Sequence, residues 1–532
     1  MMTQKRKNPV NLRPSLLLWK SIWMPVVIGV SCGGLWSRAD DAGNKAVAEA
    51  RQTLRKEGFK TDLSDFDLST TPELRAREAI LMTSPMKYVL SGPSKDRSYL
   101  GLSPKRQLLG RVNSPDLMET MDSNSAAVVW KLVSPETPLG RGQAPRLLYS
   151  WDDFRKAIDV NGPRLDRTFA AILAGPIRFD LTRHAGRYKI PPPLDQIKAL
   201  MRLLDNRLVL ALHDGNLAAA WTNLLAATRL VTAWEPGPLQ KCQLARFEMT
   251  ELAFEAAWQG LQTNGWSDAQ LARLQAEWES VDYFTRLADT LAYQCASDVD
   301  ASQRARNMPK PNVPFGEFMA WALRFPVIVW TEVNGEWRRE QYLQHGSYVD
   351  DVTELLQYQN AEFELRRVLQ AATWSDMLRI LGGIRPIPFN QWAVDNKYLL
   401  GRASVAEAQR RILITALALE RYRARRGKYP QSLSLLAPEF LSKPLVDFMD
   451  GQPLRYRLTD DPHFVIYSVG LNCADDEGRL PLRERPGLFG NEFDRWSTSA
   501  IVWPLPASFA AVEAIRLDGP RMNDQRLRAR RP

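Results

Sequence analysis

Residues 194–230 read LDQIKALMRLLDNRLVLALHDGNLAAAWTNLLAATRL, and this stretch decides the fold class. Leu194, Ile197, Met201, Leu204, Leu208 and Leu212 recur at spacings of three and four, which puts them on one face of an α-helix. Asp214-Gly215 interrupts the period, and Asn216 is suited to cap a second helix through Leu217, Trp221, Leu224, Leu225 and Leu230. His213 falls at the end of the first. Further on, Ser267 and Gln270 form the pattern of a capping box before Leu271, Leu274 and Trp278. The helical period holds from Trp151 to about Leu400. No period of the roughly 34 residues typical of tetratricopeptide repeats is sustained. The expectation for 148–400 is therefore an irregular array of helical hairpins, a form that commonly presents surfaces to partners.

The totals agree with a mainly α protein of more than one folding unit. At 532 residues the chain exceeds one average core. Hydrophobic residues at 45% and charged residues at 24% are globular values, and the 17 Trp suit cores between helices. The net charge of +10 is concentrated at the ends: Lys5, Arg6, Lys7 and Arg13 at one, and six Arg against Asp518 and Asp524 at the other. The body is close to neutral and shows no basic stripe, so nucleic acid is not an expected partner.

Residues 15–36, SLLLWKSIWMPVVIGVSCGGLW, are apolar apart from Lys20 and a few small polar residues. Their length falls within the roughly 17–25 residues that cross a bilayer. Lys20 can snorkel to the headgroups, and Trp19, Trp23 and Trp36 suit the interfaces. With the basic segment 1–14 in the cytoplasm, this predicts an inner-membrane transmembrane helix and a periplasmic body. Ser37-Arg38-Ala39 offers the alternative of a signal peptide cleaved after Ala39. Both readings export the body. Residues 37–147 read as mixed helix and loop, with Ala126–Val133 as a short strand.

Chemistry is sparse in the middle. None of the four Cys forms a CxxC motif; outside the cytoplasm Cys242 and Cys295 could pair, or both could be buried free thiols. His184, His213, His345 and His463 include no HExxH and no pair at metal-ligand spacing. Glu248, Glu251 and Glu255 share a helical face, but no ExxH partners them, so they read as a solvated face rather than a di-iron site. Ser84-Pro85-Met86-Lys87 matches SxxK without the KTG that should accompany it. Asp152-Asp153 and Asp350-Asp351 are the pairs on which an alternative function, an envelope hydrolase or sugar-active enzyme using carboxylates, would rest. Helix starts explain such pairs equally well.

Beyond residue 400 the pattern changes. Ser404 and Glu407 have the spacing of a capping box opening a helix, whose apolar face is Val405, Ala408, Ile412, Ala416, Leu419 and Tyr422. Arg410, Arg411, Arg421, Arg423, Arg425 and Arg426 crowd its polar side and last turn, and Gly427 ends it. Alternation in Leu454–Arg457 and in Phe464–Ser468, around the turn Asp460-Asp461-Pro462, predicts a hairpin with one face on that helix. The apolar run Ala500–Trp503 suits a third strand.

ALALERYRARRGKYPQSLSLLAPEFL (416–441), then DGQPLRYRL (450–458), then YSVGLNCADDEG (467–478) resemble the globular head of the major pseudopilin of type II secretion systems. Tyr422, Gly427, Tyr429, Pro430, Asp450, Gly451, Pro453, Tyr456, Tyr467, Ser468 and Gly470 carry the resemblance in order, over about 402–505. The whole chain resembles a group of membrane-anchored bacterial proteins that end in this head. No pseudopilin leader precedes the membrane segment, and the head is far removed from it, so assembly into a filament by helix stacking is not expected. By its own composition the stretch 506–532 reads as a basic disordered tail. The resemblance implies a small α+β head at 401–505. It also implies partners among envelope or secretion-system proteins, and calcium in the loop after Tyr-Ser-x-Gly. Asp475, Asp476, Glu477 and Asp494 are the ligands that would supply it with oxygen donors. Departures from that family are an Ala at 500 where an Asp is expected and a longer loop bearing four Arg.

Overall fold

The computed structural model describes residues 41–83, 119–121, 128–130, 155, 162–182, 194–261, 263–306, 346–382, 391–459, 463–478 and 500–503. The segment 15–36, the tail 506–532 and the turn 460–462 lie outside them, as do Asp152-Asp153, Ser84–Lys87, His184, His345 and Asp494. Among the described residues no helix is long and apolar enough to cross a membrane.

The described residues are mainly helical, with a small three-stranded antiparallel sheet. The helices are α1 (Asp41–Lys56), α2 (Pro72–Thr83), α3 (Gly162–Leu173), α4 (Leu194–His213), α5 (Leu217–Thr232), α6 (Gln240–Leu261), α7 (Asp268–Glu279), α8 (Leu287–Arg306), α9 (Tyr348–Leu369), α10 (Trp374–Gly382) and α11 (Gln391–Arg426). The strands are β1 (Glu119–Met121), β2 (Val128–Trp130), β3 (Arg455–Leu458), β4 (Phe464–Ser468) and β5 (Ile501–Trp503). β1 and β2 form an antiparallel pair of their own, and the other sheet has the order β3-β4-β5.

The chain divides into two compact units. One comprises Met1–Glu57 with Ser302–Leu356. In it the wholly buried Asp351 pairs with Arg306, whose guanidinium also lies 4.3 Å over the Tyr348 ring and donates to the Gly346 carbonyl at 3.0 Å. The other comprises Gly58–Ala301 with Gln357–Pro532.

In this second unit α4, α5 and α6 pack on one another, and α11 lies against α6 and α7. The α4–α5 turn follows from its sequence. Asn216 N donates to the Ala211 carbonyl at 2.9 Å and Gly215 N to that of Leu212 at 3.1 Å, a Schellman closure. The closure needs a left-handed residue, and Gly215 supplies φ +68° without steric cost. Asn216 Oδ1 then accepts from Ala219 N at 3.0 Å and caps α5. Ser267 and Gln270 form the reciprocal capping box of α7. Trp234, Trp258, Trp278 and Trp374 are all buried in the helical core. Cys242 and Cys295 are both buried and do not pair with each other, and burial pushes the Cys242 thiol up to about 12.

Three expectations are corrected. The helix does not open at Ser404: α11 begins at Gln391, and the boundary expected at 400/401 lies inside it. Ser404 Oγ donates back to the Leu400 carbonyl at 2.8 Å within the helix, and Glu407 is taken by Arg410 and Arg411, both at 2.7 Å, so neither is free to cap. The strand β4 is buried at every position rather than at alternate ones. One face meets α11, and on the other Val465 and Tyr467 form a cluster with Ala500 and Val502. Nor is the face of Glu248, Glu251 and Glu255 solvated throughout. Glu248 pairs with Lys198 at 2.5 Å, but Glu255 is buried because α6 packs against α4, α5 and α11 together.

Candidate functional site

A compact group of charges in the carboxy-terminal region is built on the turn that leads into β3. Val446 bridges Pro453, Asp447 N donates to the Gln452 carbonyl at 2.7 Å, and Gly451 N donates to the Asp447 carbonyl at 2.9 Å. This tight loop presents Asp447 inward. Its side chain is wholly buried, with Oδ1 accepting from Met449 N (2.9 Å) and Ser468 Oγ (2.7 Å). Oδ2 accepts from Val469 N (2.9 Å) and Arg455 Nη1 (3.1 Å). Burial pushes the Asp447 carboxyl up from its ordinary value, while these donors pull the other way.

Arg455 opens β3 and stands opposite Tyr467 of β4 in the register. Besides Asp447, its guanidinium holds Asp450 in a fork, Nη1 to Oδ1 at 3.1 Å and Nη2 to Oδ2 at 2.5 Å. Its Nε reaches Asp475 Oδ2 at 3.3 Å. The hydrogen bond to Asp450 raises the guanidinium's affinity for its proton. Burial opposes the charge of Asp450, yet the Arg455 fork holds that carboxyl below its ordinary value.

Asp475 lies in the acidic loop after Tyr467-Ser468-Val469-Gly470. Its Oδ1 accepts from Glu477 N and from the Tyr467 hydroxyl, both at 2.9 Å. The Glu477 amide leads the effects that keep Asp475 below its ordinary value, and burial leads those that push the Tyr467 phenol up to about 12. The loop passes so close to Tyr467 that a Cβ on Gly478 would stand 2.8 Å from its ring, with φ +72° at that residue. Asp476 Oδ2 accepts from Ala500 N at 3.3 Å. Among the described residues its buried Oδ1 has no hydrogen bond.

The three described carboxylates expected to hold calcium, Asp475, Asp476 and Glu477, are thus differently placed. Calcium takes six to eight oxygens. Asp475 has both oxygens committed to protein donors, one a guanidinium, and in that state it does not fit a ligand role. Asp476 Oδ1 and Glu477 are the acidic groups of the loop outside that arrangement, and Asp494 lies outside the described residues. Among the described residues no group of three or more His, Cys, Asp or Glu is placed to hold a metal.

The carboxylate pairs singled out for hydrolysis resolve in the same structural direction where they are described. Ser347 Oγ accepts from Asp350 N at 3.3 Å, and Asp350 Oδ2 accepts from Ser347 N at 2.7 Å, which is the cap of α9. Asp351 is the buried partner of Arg306. Two other carboxyls were missed. Burial pushes Asp205, inside α4, up to about 7. Burial also pushes Glu362, in α9, up to about 7, where it accepts from the Tyr358 hydroxyl and pairs with Arg366. Asp205 had a legible signal, since it stands four residues after Met201 and three before Leu208, inside the apolar stripe.

No protein-family model, curated protein or solved structure matches this chain.

Proposed function

We propose that this chain is a membrane-anchored, exported envelope protein that acts as a structural or protein-interaction module, accessory to a secretion or pilus-like assembly. One observation carries the reading. Of the residues that resemble the pseudopilin pattern, Tyr456 bonds directly to Pro430, and Tyr429 and Tyr456 meet through a shared partner, Phe464. The Tyr429 ring stands edge-on to Phe464 at 4.9 Å, and its hydroxyl donates to Glu420 at 2.6 Å. Tyr456 packs on the same Phe464 at 6.2 Å and donates its hydroxyl to the Pro430 carbonyl at 2.7 Å. Ser468 reaches back to Asp447, while Gly427, Gly451 and Gly470 take positive φ values of 74°, 76° and 77°. Such a pattern kept by contacts supports a head-like module joined to a helical array, and helical arrays offer extended surfaces for partners. The segment 15–36 would tether it to the inner membrane.

The test is cross-linking of tagged full-length protein in intact envelopes, followed by identification of what it captures. Secretion or pilus components among the captured proteins are the expected result. Recovery of the protein as soluble cytoplasmic material would overturn the reading.

A further inference from the structure

Two segments of the carboxy-terminal region together bring three carboxylates to one guanidinium. Asp447 and Asp450 come from the two ends of the turn before β3, and Asp475 comes from the loop after β4. Without a cation between them, these like charges would repel in a partly dry setting, since the side chains of Asp447 and Asp450 are 0% and 18% exposed. The Arg455 side chain, itself 19% exposed, fills that place and makes four charged contacts between 2.5 and 3.3 Å. A planar fork suits the task better than an ammonium, because it can meet one carboxylate with two nitrogens and still offer Nε to another.

We propose that Arg455 is the resident cation of these acidic turns, standing where a bound metal ion would otherwise be required, so that the sheet and its acidic loop close without metal. The position of Arg455 in the fold supports this. As the first residue of β3 and the partner of Tyr467 in the strand register, it is fixed by backbone pairing before any side chain is considered. Tyr467 then adds a hydrogen bond to the same Asp475 carboxylate that Arg455 holds. Strand pairing and loop closure are thereby joined through one charge. Asp447 shows why a mobile ion is unnecessary: two backbone amides and the Ser468 hydroxyl already satisfy it, leaving one lone-pair direction for Arg455. The inference does not depend on where the protein resides, so failure of the cross-linking experiment would leave it standing.

The test is thermal unfolding of the full-length protein in EDTA and in millimolar calcium, for wild type, Arg455→Ala and Arg455→Lys. Wild type should melt at the same temperature in both media. Arg455→Ala should melt lower by roughly 5 °C, as expected for a broken, partly buried ion pair. Calcium should restore part of that loss, because the three carboxylates would then lack a counter-charge. Arg455→Lys should fall between the two and respond less to calcium. If Arg455→Ala does not fold, calorimetric titration of calcium into wild type carries the decision, and no binding at millimolar concentration is expected. A rise in the wild-type melting temperature with calcium, a fall with EDTA, or an Arg455→Ala variant that melts with wild type would each overturn the proposal.

Discussion

The indole Nε1 of Trp374 donates to the Leu471 carbonyl at 2.9 Å. The backbone of the same residue donates to the Phe448 carbonyl, also at 2.9 Å, and Ser375 N reaches that of Met449. One buried tryptophan at the start of α10 therefore holds both the turn before β3 and the loop after β4.

Trp374→Ala should destabilise the protein by about 3–5 kcal/mol, the usual range for deleting a buried tryptophan. Trp374→Phe retains most of the packing but orphans the Leu471 carbonyl, and should cost about 1–3 kcal/mol. Urea unfolding of the two variants checks both values, and the ordering Ala worse than Phe is the essential outcome.

Asp205 gives the protein a pH dependence with a defined sign. Its folded pKa of about 7 stands above the ordinary 3.8, so the folded state holds a proton that the unfolded state has released. Its stabilising contribution is complete below about pH 4 and is lost as the pH rises through 7. The full swing is on the order of 4 kcal/mol. Wild type should be less stable at pH 8 than at pH 5 in urea unfolding, and Asp205→Asn should narrow that gap. An unchanged gap in the variant would remove Asp205 as its source.

Two polar residues that look alike as caps should behave differently. Asn216→Ala should cost about 1 kcal/mol, because the Ala219 amide loses its acceptor. Ser404→Ala should change stability by less than about 1 kcal/mol, because its hydroxyl only shares the Leu400 carbonyl inside α11. Paired melting curves test the distinction directly.

Gly478→Ala should destabilise by about 1–3 kcal/mol, combining a left-handed backbone with a methyl placed against the Tyr467 ring. Gly215→Ala meets nothing within 4 Å and should suffer only the backbone term, so it should be the milder of the two by thermal melting.

The parts that were legible in the sequence are those set by local chemistry. The α4–α5 turn, the α7 capping box and the β3–β4 hairpin needed only neighbouring residues and their periodicity. The start of α11 was not legible, because Ser404 and Glu407 have capping-box spacing and only tertiary contacts decide that they lie mid-helix. The candidate site was half visible. Asp450 and Asp475 stand out in motif positions, whereas Asp447 looks like one more surface acid until the chain folds its amides and Ser468 around it. Arg455 read as the polar member of an alternating strand. Its role comes from the register with Tyr467, which no local pattern encodes.

The length of α11 has a consequence for inheritance and for engineering. One uninterrupted 36-residue rod belongs to two cores, packing on α6 and α7 as well as on β4 and β5. Recombination at residue 400 would sever the rod and leave an apolar flank bare on each product. The carboxy-terminal region is thus not separable at that point, and any exchange would have to carry α6, α7 and α10 along with the sheet.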